Sequence, residues 1–346
     1  MCWTALHTSH SMMLLFPDTI SLLLLLLALA GLLLLSKGRS RPPGLPRLPL
    51  LGSVPWILWK GKHVMDLVRE DRRKHGALSS VGFGPLDIIF INDPWLLRQV
   101  LGKEEAAGRL NQGLGLQMKS GGVRLGLIDP DSSCPAWKEQ KRFVMRGLRD
   151  RGFGSRSEAA VQEEALHLVE HLLVGGEKEV IIKDQFNIPV VNVIWKMIAS
   201  KTFPLESDEG MAFMHLMDEL FNKRLSPLAL IPVLGRLLCF GQIRRRFQMF
   251  REMRGLFEAE IEEHERSLEE AEPRDLIDQY LVEVRAGREG FTKEQLTIII
   301  LDLFAAGSET SSTTLRWAIL YLVLHPQVGP GAALNTKLLT ETRTTL

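Results

Sequence analysis

Two clusters in this sequence carry side chains able to do chemistry. The first is Ala306-Gly307-Ser308-Glu309-Thr310, inside the run LDLFAAGSETSSTTLRW from Leu301 to Trp317. An acid beside a hydroxyl suits proton transfer when both are aimed at a reacting group. Ala306 and Thr310 are four apart, so on a helix they share a face, with Gly307 beside them and a shallow groove where side chains are missing. Two readings fit that groove. Another helix packs closely at Ala305-Ala306-Gly307 with Glu309 in solvent, or a flat cofactor lies there and Glu309 and Thr310 relay protons to it. The second cluster is His167-Leu168-Val169-Glu170-His171, which sets two imidazoles one helical turn apart, as a zinc site requires. No third ligand accompanies it, and an exposed helix edge carrying two histidines is the plainer reading. Cys2, Cys134 and Cys239 are too few and too scattered for a disulfide framework, and none forms a Cys-x-x-Cys pair.

The Glu309 cluster needs a long helix to hold it. Thr292 with Gln295 reads as a capping box and Pro326 follows the end, which predicts a helix of about 50 Å at 1.5 Å per residue. Helical periodicity also marks His63 to His75, Ala136 to Arg149, Ser157 to Val174, Val190 to Ser200, Met211 to Lys223 and Ile243 to Glu269. Asp93 as cap, with Pro94 at the first helical position, predicts a short helix from Trp95 to Leu101. Two short strands around Gly84-Pro85 predict a hairpin, and Gly-rich, irregular sequence fills Gly102 to Pro130. The fold class is therefore mainly α with a minor β portion. Leu225 to Gly241 is apolar but broken by Pro227, Pro232 and Gly235; it either dips into a membrane surface or joins two helices through the core.

The balance of 45% hydrophobic and 24% charged residues over 346 positions is globular, and a net charge of +1 gives no field for nucleic acid. The N-terminus departs from it. Ile20 to Leu35 carries no charge, approaching with its apolar upstream neighbours the roughly 20 residues that cross a bilayer core. Lys37, Arg39, Arg41 and Arg47 follow, so the body is expected on the cytoplasmic side of a single-pass anchor, residues 1–36. Ala28-Leu29-Ala30 resembles a signal-processing site, but the positive charge lies on the wrong flank for a cleaved leader. Residues 37–53 form a proline-rich hinge, expected to be a stiff extended connector. Lys138, Arg142, Arg146 and Arg149 recur at helical spacing and make one basic face, either a solvated surface or a partner site.

AGSET, Ala306 to Thr310, resembles the Ala/Gly-Gly-x-Asp/Glu-Thr signature of the distal helix in the cytochrome P450 heme monooxygenases. The hinge prolines, WKEQKRF from Trp137 to Phe143, PRDLIDQYL from Pro273 to Leu281, and LRWAILYLVLHPQV from Leu315 to Val328 are similar to microsomal animal members, in family order. The resemblance implies a partial cytochrome P450 fold over residues 54–328 behind the anchor, in the endoplasmic reticulum membrane. It implies a complete protein that inserts one oxygen atom of O2 into a lipophilic substrate. Electrons would come from an NADPH-dependent reductase docked on the basic face Lys138, Arg142, Arg146 and Arg149. Ala306 and Gly307 would face the heme, Glu309 and Thr310 would deliver protons, and Trp137 would hold a propionate with Lys141 where the family has arginine. Lysine keeps the charge and loses the bidentate fork. Arg124 lies near another propionate position. Substrate would face the Arg109 to Asp129 loop, the Phe213 to Lys223 helix, and Leu301 to Thr310.

One departure matters. After His325-Pro326-Gln327-Val328 the family continues to a Glu-x-x-Arg helix and a loop whose cysteine thiolate ligates the iron. Residues 329–346 form a divergent tail that resembles neither. Glu139 to Arg142 and Glu263 to Arg266 spell Glu-x-x-Arg in the wrong context, and Cys239 in GRLLCFG lacks the expected arginine. The chain as it stands is expected to hold no thiolate-ligated heme and to be inactive. The alternative is a noncatalytic membrane-bound helical protein that binds lipids or partners.

Overall fold

The computed structural model describes residues 41–328, apart from 85, 110–113, 129–134, 153–157, 175–181, 206, 223–225, 227–228 and 230–236. The expected anchor, the tail and most of the Leu225 to Gly241 segment lie outside the described residues. Among the described residues no helix is long and apolar enough to cross a membrane. The chain divides into two compact units, residues 1–106 with 225–243, and residues 107–224 with 244–346.

The first unit is built on an antiparallel hairpin of β1 (Leu78–Phe83) and β2 (Leu86–Ile91), in register Leu78 to Ile91 and Phe83 to Leu86, around the expected Gly84 turn. Helices α1 (Val54–Lys60) and α2 (Val64–His75) bury Val54, Ile57, Leu67 and Val68 with Val81 and Phe83 of β1. Helix α3 (Pro94–Leu101) starts as expected, with Asp93 accepting from the Leu96 N–H at 2.7 Å.

The described part of the hinge does not stand free as a spacer. It lies along β1: Leu45 N–H donates to Ser80 O at 3.1 Å, Ser80 N–H to Pro43 O at 3.0 Å and Ser53 N–H to Gly82 O at 2.6 Å. Prolines lack a donor but keep their carbonyls, so a proline-rich strand can still serve an open sheet edge. Glycine is required at two points. A Cβ on Gly44 would lie 1.9 Å from Ser80 O, and Gly52 has φ +63° with a Cβ position 2.4 Å from Gly82 O. Arg41 and Arg47 both pair with Asp87.

The second unit is helical: α4 (Leu114–Ser120), α5 (Pro135–Asp150), α6 (Glu158–Val174), α7 (Asn187–Ala199), α8 (Asp208–Asn222), α9 (Phe240–Arg266), which begins in the first unit, α10 (Leu276–Arg285) and α11 (Lys293–Leu324). The apolar α7 is its hub, packed against α6, α8, α10 and α11. A helix apolar on most sides has to be surrounded. Its one internal amide, Asn192, is satisfied by Glu164 Oε2 at 2.9 Å and by both backbone groups of Phe203. Trp195, Phe203, Phe213, Phe257 and Phe304 interlock as stacked and edge-on pairs with centroids 5.0 to 6.3 Å apart. Phe213, expected on a substrate-facing helix, belongs to this core.

Three helices escaped the sequence reading, the seven-residue α1 among them. Helix α4 lies in the stretch taken as irregular, and α10 follows a cap at Asp275, whose Oδ1 accepts from the Asp278 N–H at 3.0 Å. The other Asp275 oxygen is bonded to His264 Nε2 at 3.0 Å, and Arg151 donates to Asp275 O at 2.6 Å, so one buried aspartate ties α9, α10 and the end of α5 together. Burial alone would push the His264 imidazole down, but its bonds to Asp275 and Glu260 outweigh this and raise it to about 10.

Candidate functional site

Helix α11 carries the candidate site. Thr292 Oγ1 accepts from the Gln295 N–H at 3.1 Å, as a cap should. The box is not reciprocal, because Gln295 Oε1 accepts instead from the Gly126 N–H at 3.1 Å. From Leu296 to Leu301 every residue is buried, and Phe304 is fully so. The helix then opens. Ala306 and Thr310 are exposed on one face, and Glu309 is half-buried on a neighbouring one.

The side chains of Glu309 and Thr310 are turned to separate partners. Thr310 Oγ1 donates to Ala306 O at 2.7 Å, closing one turn on itself. Glu309 Oε1 accepts from Thr313 Oγ1 at 3.0 Å and lies 3.7 Å from Arg316. No relay from the acid to the hydroxyl is assembled here.

Gly307 admits its neighbour. A Cβ there would lie 2.3 Å from Ile194 Cδ1 of α7, so the missing side chain is filled by an isoleucine. Close packing of α7 at Gly307 and an open groove along the same face therefore occur together. A cavity of about 550 Å³ runs along this seam, lined by Leu303, Ala306, Gly307, Thr310 and Ser311 of α11 and by Val190, Val193, Ile194, Met197 and Ile198 of α7, together with Met145 and Leu148 of α5 and Val161 of α6. Its walls are apolar except for the hydroxyls of Thr310 and Ser311.

Trp137, Lys141 and Arg124 do not line this cavity. Trp137 Nε1 donates to Leu127 O at 3.1 Å, Lys141 Nζ sits 5.1 Å above the Trp137 ring, and Arg124 Nη2 donates to Arg109 O at 3.1 Å. The structure brings Trp137 and Lys141 together and leaves Arg124 on its own loop. Lys138, Arg142, Arg146 and Arg149 are all exposed on the outer face of α5, opposite buried Val144, Gly147 and Leu148.

Sequence reasoning missed Asp302. It is 3% exposed in the most apolar stretch of the helix, its Oδ1 is 2.7 Å from Lys119 Nζ, and its Oδ2 accepts from the N–H groups of Leu127 and Ile128 at 2.6 and 2.9 Å. Burial pushes its carboxyl up, against the opposing pull of Lys119 and the two amides. The signal was available: a lone acid among Ile299, Ile300, Leu301, Leu303 and Phe304 demands partners.

Of metal candidates, His167, Glu170 and His171 do not converge as ligands. The one cluster with converging ligand atoms among the described residues is His264, Asp275 and Asp278. Its groups are engaged with one another, with Glu260 and with Arg274, which makes it a structural brace.

For heme, the described residues supply an apolar wall at Ala306 and Thr310 but no axial thiolate. Cys239 is the free cysteine among them, buried in the first unit, and the indole N–H expected at a propionate is donated to Leu127. On donor chemistry, these residues alone do not fit a thiolate-ligated heme.

The family model described as Cytochrome P450 matches residues 42–330. Cytochrome P450 2L1 of Panulirus argus is 32% identical over 312 residues, covering 86% of this chain and 62% of the relative. Cytochrome P450 2J3 of Rattus norvegicus is 32% identical over 336 residues, 94% of this chain and 64% of the relative. Farnesoate epoxidase of Bombyx mori is 27% identical over 308 residues, 84% and 60% respectively. The chain thus spans less than two thirds of the length of these relatives. With a match that takes in most of the proline-rich hinge, the hairpin, the Trp137 helix and the whole of α11, the chain belongs to the cytochrome P450 family.

Proposed function

We propose that this chain is the distal-wall portion of a membrane-anchored heme-thiolate monooxygenase acting on lipophilic substrates. The observation that carries the reading is the apolar cavity of about 550 Å³ beside Ala306 and Thr310, on the helix that bears the family signature. Bound heme would supply oxygen activation, with electrons from an NADPH-dependent reductase. The residues of this chain would shape the space around it. Leu303 and Ala306 offer apolar surface to a lipophilic molecule, and Thr310 Oγ1 keeps acceptor capacity for a polar group brought into the cavity. Glu309, held by Thr313 and Arg316, would have to change rotamer to share a proton with Thr310. The exposed cations Lys138, Arg142, Arg146 and Arg149 would meet the acidic surface of the reductase, with salt weakening the encounter. The proposed setting is the endoplasmic reticulum membrane with the body cytoplasmic, anchored through residues 1–36.

No counterpart of the ligand-bearing cysteine loop occurs in the 346 residues, so we expect the chain alone to be inactive. The test is a reduced, carbon-monoxide-treated spectrum after heme is added. Absence of a thiolate-heme band from the folded chain, with the band present when a ligand-bearing cysteine loop is fused to it, supports the reading. A thiolate band from the chain alone overturns the expected inactivity, and absence from the fused chain overturns the monooxygenase reading. A noncatalytic lipid- or partner-binding role is favoured by one observation, the bare apolar end of α11 at Leu315, Trp317, Leu320, Val323 and Leu324.

A further inference from the structure

The open face of α11 is one continuous stripe. Leu303, Ala306, Thr310, Thr313, Trp317 and Leu320 recur at alternating intervals of three and four, the spacing that keeps side chains on a single seam facing another helix. Every one of them is exposed or half-buried, Trp317 at 66%, whereas Phe304, Ser308 and Ser312 on the opposite side of the same helix are buried. Leu303, Ala306 and Thr310 line the cavity of about 550 Å³, and Trp317 and Leu320 stand bare about two turns further on. One half of the seam borders a hollow beside small side chains. The other half presents large apolar side chains to solvent.

A second α11 laid antiparallel on this seam satisfies both halves at once, because a two-fold axis returns each half to the other. With the axis passing between Ser311 and Ser312, Ala306 meets Trp317 of the second copy, Leu303 meets Leu320, and Thr310 meets Thr313, each contact being made twice. The indole then falls on the smallest residue of the seam and into the hollow beside it. A parallel arrangement would set Trp317 on Trp317 and Ala306 on Ala306, leaving the hollow unfilled. Charge favours the same arrangement. Glu309 and Arg316 lie seven apart along one border of the seam, and in an antiparallel pair that border faces itself, so each Glu309 comes beside Arg316 of the second copy. Within one chain the two groups are 3.7 Å apart, beyond hydrogen-bond length, and their side chains keep 28% exposure at Arg316 and 33% at Glu309.

We propose that this face of α11 is a self-association surface: two copies of this chain pair through antiparallel α11 helices, the Trp317 of each entering the cavity beside Ala306 of the other. This gives the partner-binding reading its partner and is independent of the monooxygenase reading. The paired chain covers the face that heme would use, so pairing and heme loading are alternatives. One helix pair is small for a stable interface, so the association should reverse on dilution.

The experiment is energy transfer between full-length copies labelled at the N-terminus with donor or acceptor, in phosphatidylcholine vesicles without heme, over a range of protein-to-lipid ratios. Transfer should rise with that ratio, and Trp317→Ala should weaken the association by about tenfold or more, as loss of a buried aromatic anchor does. Glu309→Arg alone and Arg316→Glu alone should each lose transfer, because each sets like charges together across the axis. Mixing these two variants should restore it, because only the mixed pair sets opposite charges together. Mixing would not repair a local disturbance of α11, and association through residues 1–36 would not respond to these charges at all. No transfer from the unaltered chain, the result expected if a bilayer covers this face instead, overturns the proposal. So does transfer that survives both single charge variants, or a mixture no better than either variant alone. Heme titration of the unaltered chain reports separately on the monooxygenase reading.

Discussion

The two ends of the helical unit are built on opposite terms. At one end, α9, α10 and the first half of α11 bury Phe257, Leu276, Tyr280, Ile298 and Phe304, and a brace of His264, Asp275 and Arg151 joins them. At the other, α11 runs out past Ala306 with Trp317, Val323 and Leu324 exposed, and the cavity beside α7 is open space rather than packed side chains. The same helix passes through both. Its apolar character is continuous, so burial is decided by what surrounds each turn and not by the helix's own composition. Stability is concentrated at the braced end, while the chemistry-bearing residues sit at the open one.

That contrast can be broken most directly at Phe304, where the two ends meet. Phe304→Ala empties the centre of the aromatic cluster and should cost about 3–5 kcal/mol in denaturant unfolding. A cost near that of an exposed site would mean the cluster is not the keystone. A titration comes next. The folded value of His264 near 10 lies above the ordinary 6.5, so the protonated imidazole contributes its full stability below about pH 6.5 and loses it as the pH rises toward 10. The unfolding free energy should therefore fall on going from pH 6.5 to 10, by an amount on the order of 2 kcal/mol, and His264→Gln should flatten that slope. The smallest effect is expected at Gly307. A methyl there meets only the flexible tip of Ile194, beside empty volume, while alanine gains up to about 1 kcal/mol of helix propensity. Gly307→Ala should thus shift stability by less than about 1 kcal/mol; a large loss would show the seam to be as tight as the braced end.

Much of this was legible in the residues. Asp93-Pro94, the Gly84 hairpin, Thr292 and the 3.6-residue periodicities from Ala136 onward all act locally, and the elements formed within a few residues of the expected bounds. What was hidden depends on partners distant in sequence. The hinge looked free because its prolines suggest stiffness, whereas its docking depends on glycines at 44 and 52 meeting β1. Helix α4 is too short for a periodicity to register, and α10 was passed over although Asp275 marks its start. At the site, spacing placed Ala306 and Thr310 on one face correctly. It could not say that Ile194 fills the space at Gly307, that Glu309 turns to Thr313, or that Trp137 serves the Leu127 carbonyl.

The backbone approach at Gly44 has a mechanical consequence. The Pro43 carbonyl and the Leu45 amide grip Ser80 on either side of a residue with no side chain, in parallel alignment with β1. A tug on the chain from before residue 41 would load these bonds lengthwise and pass into the hairpin, instead of being absorbed by slack. The folded body would then feel the orientation of whatever holds its leading end, and a single added methyl at position 44 would cut that tether.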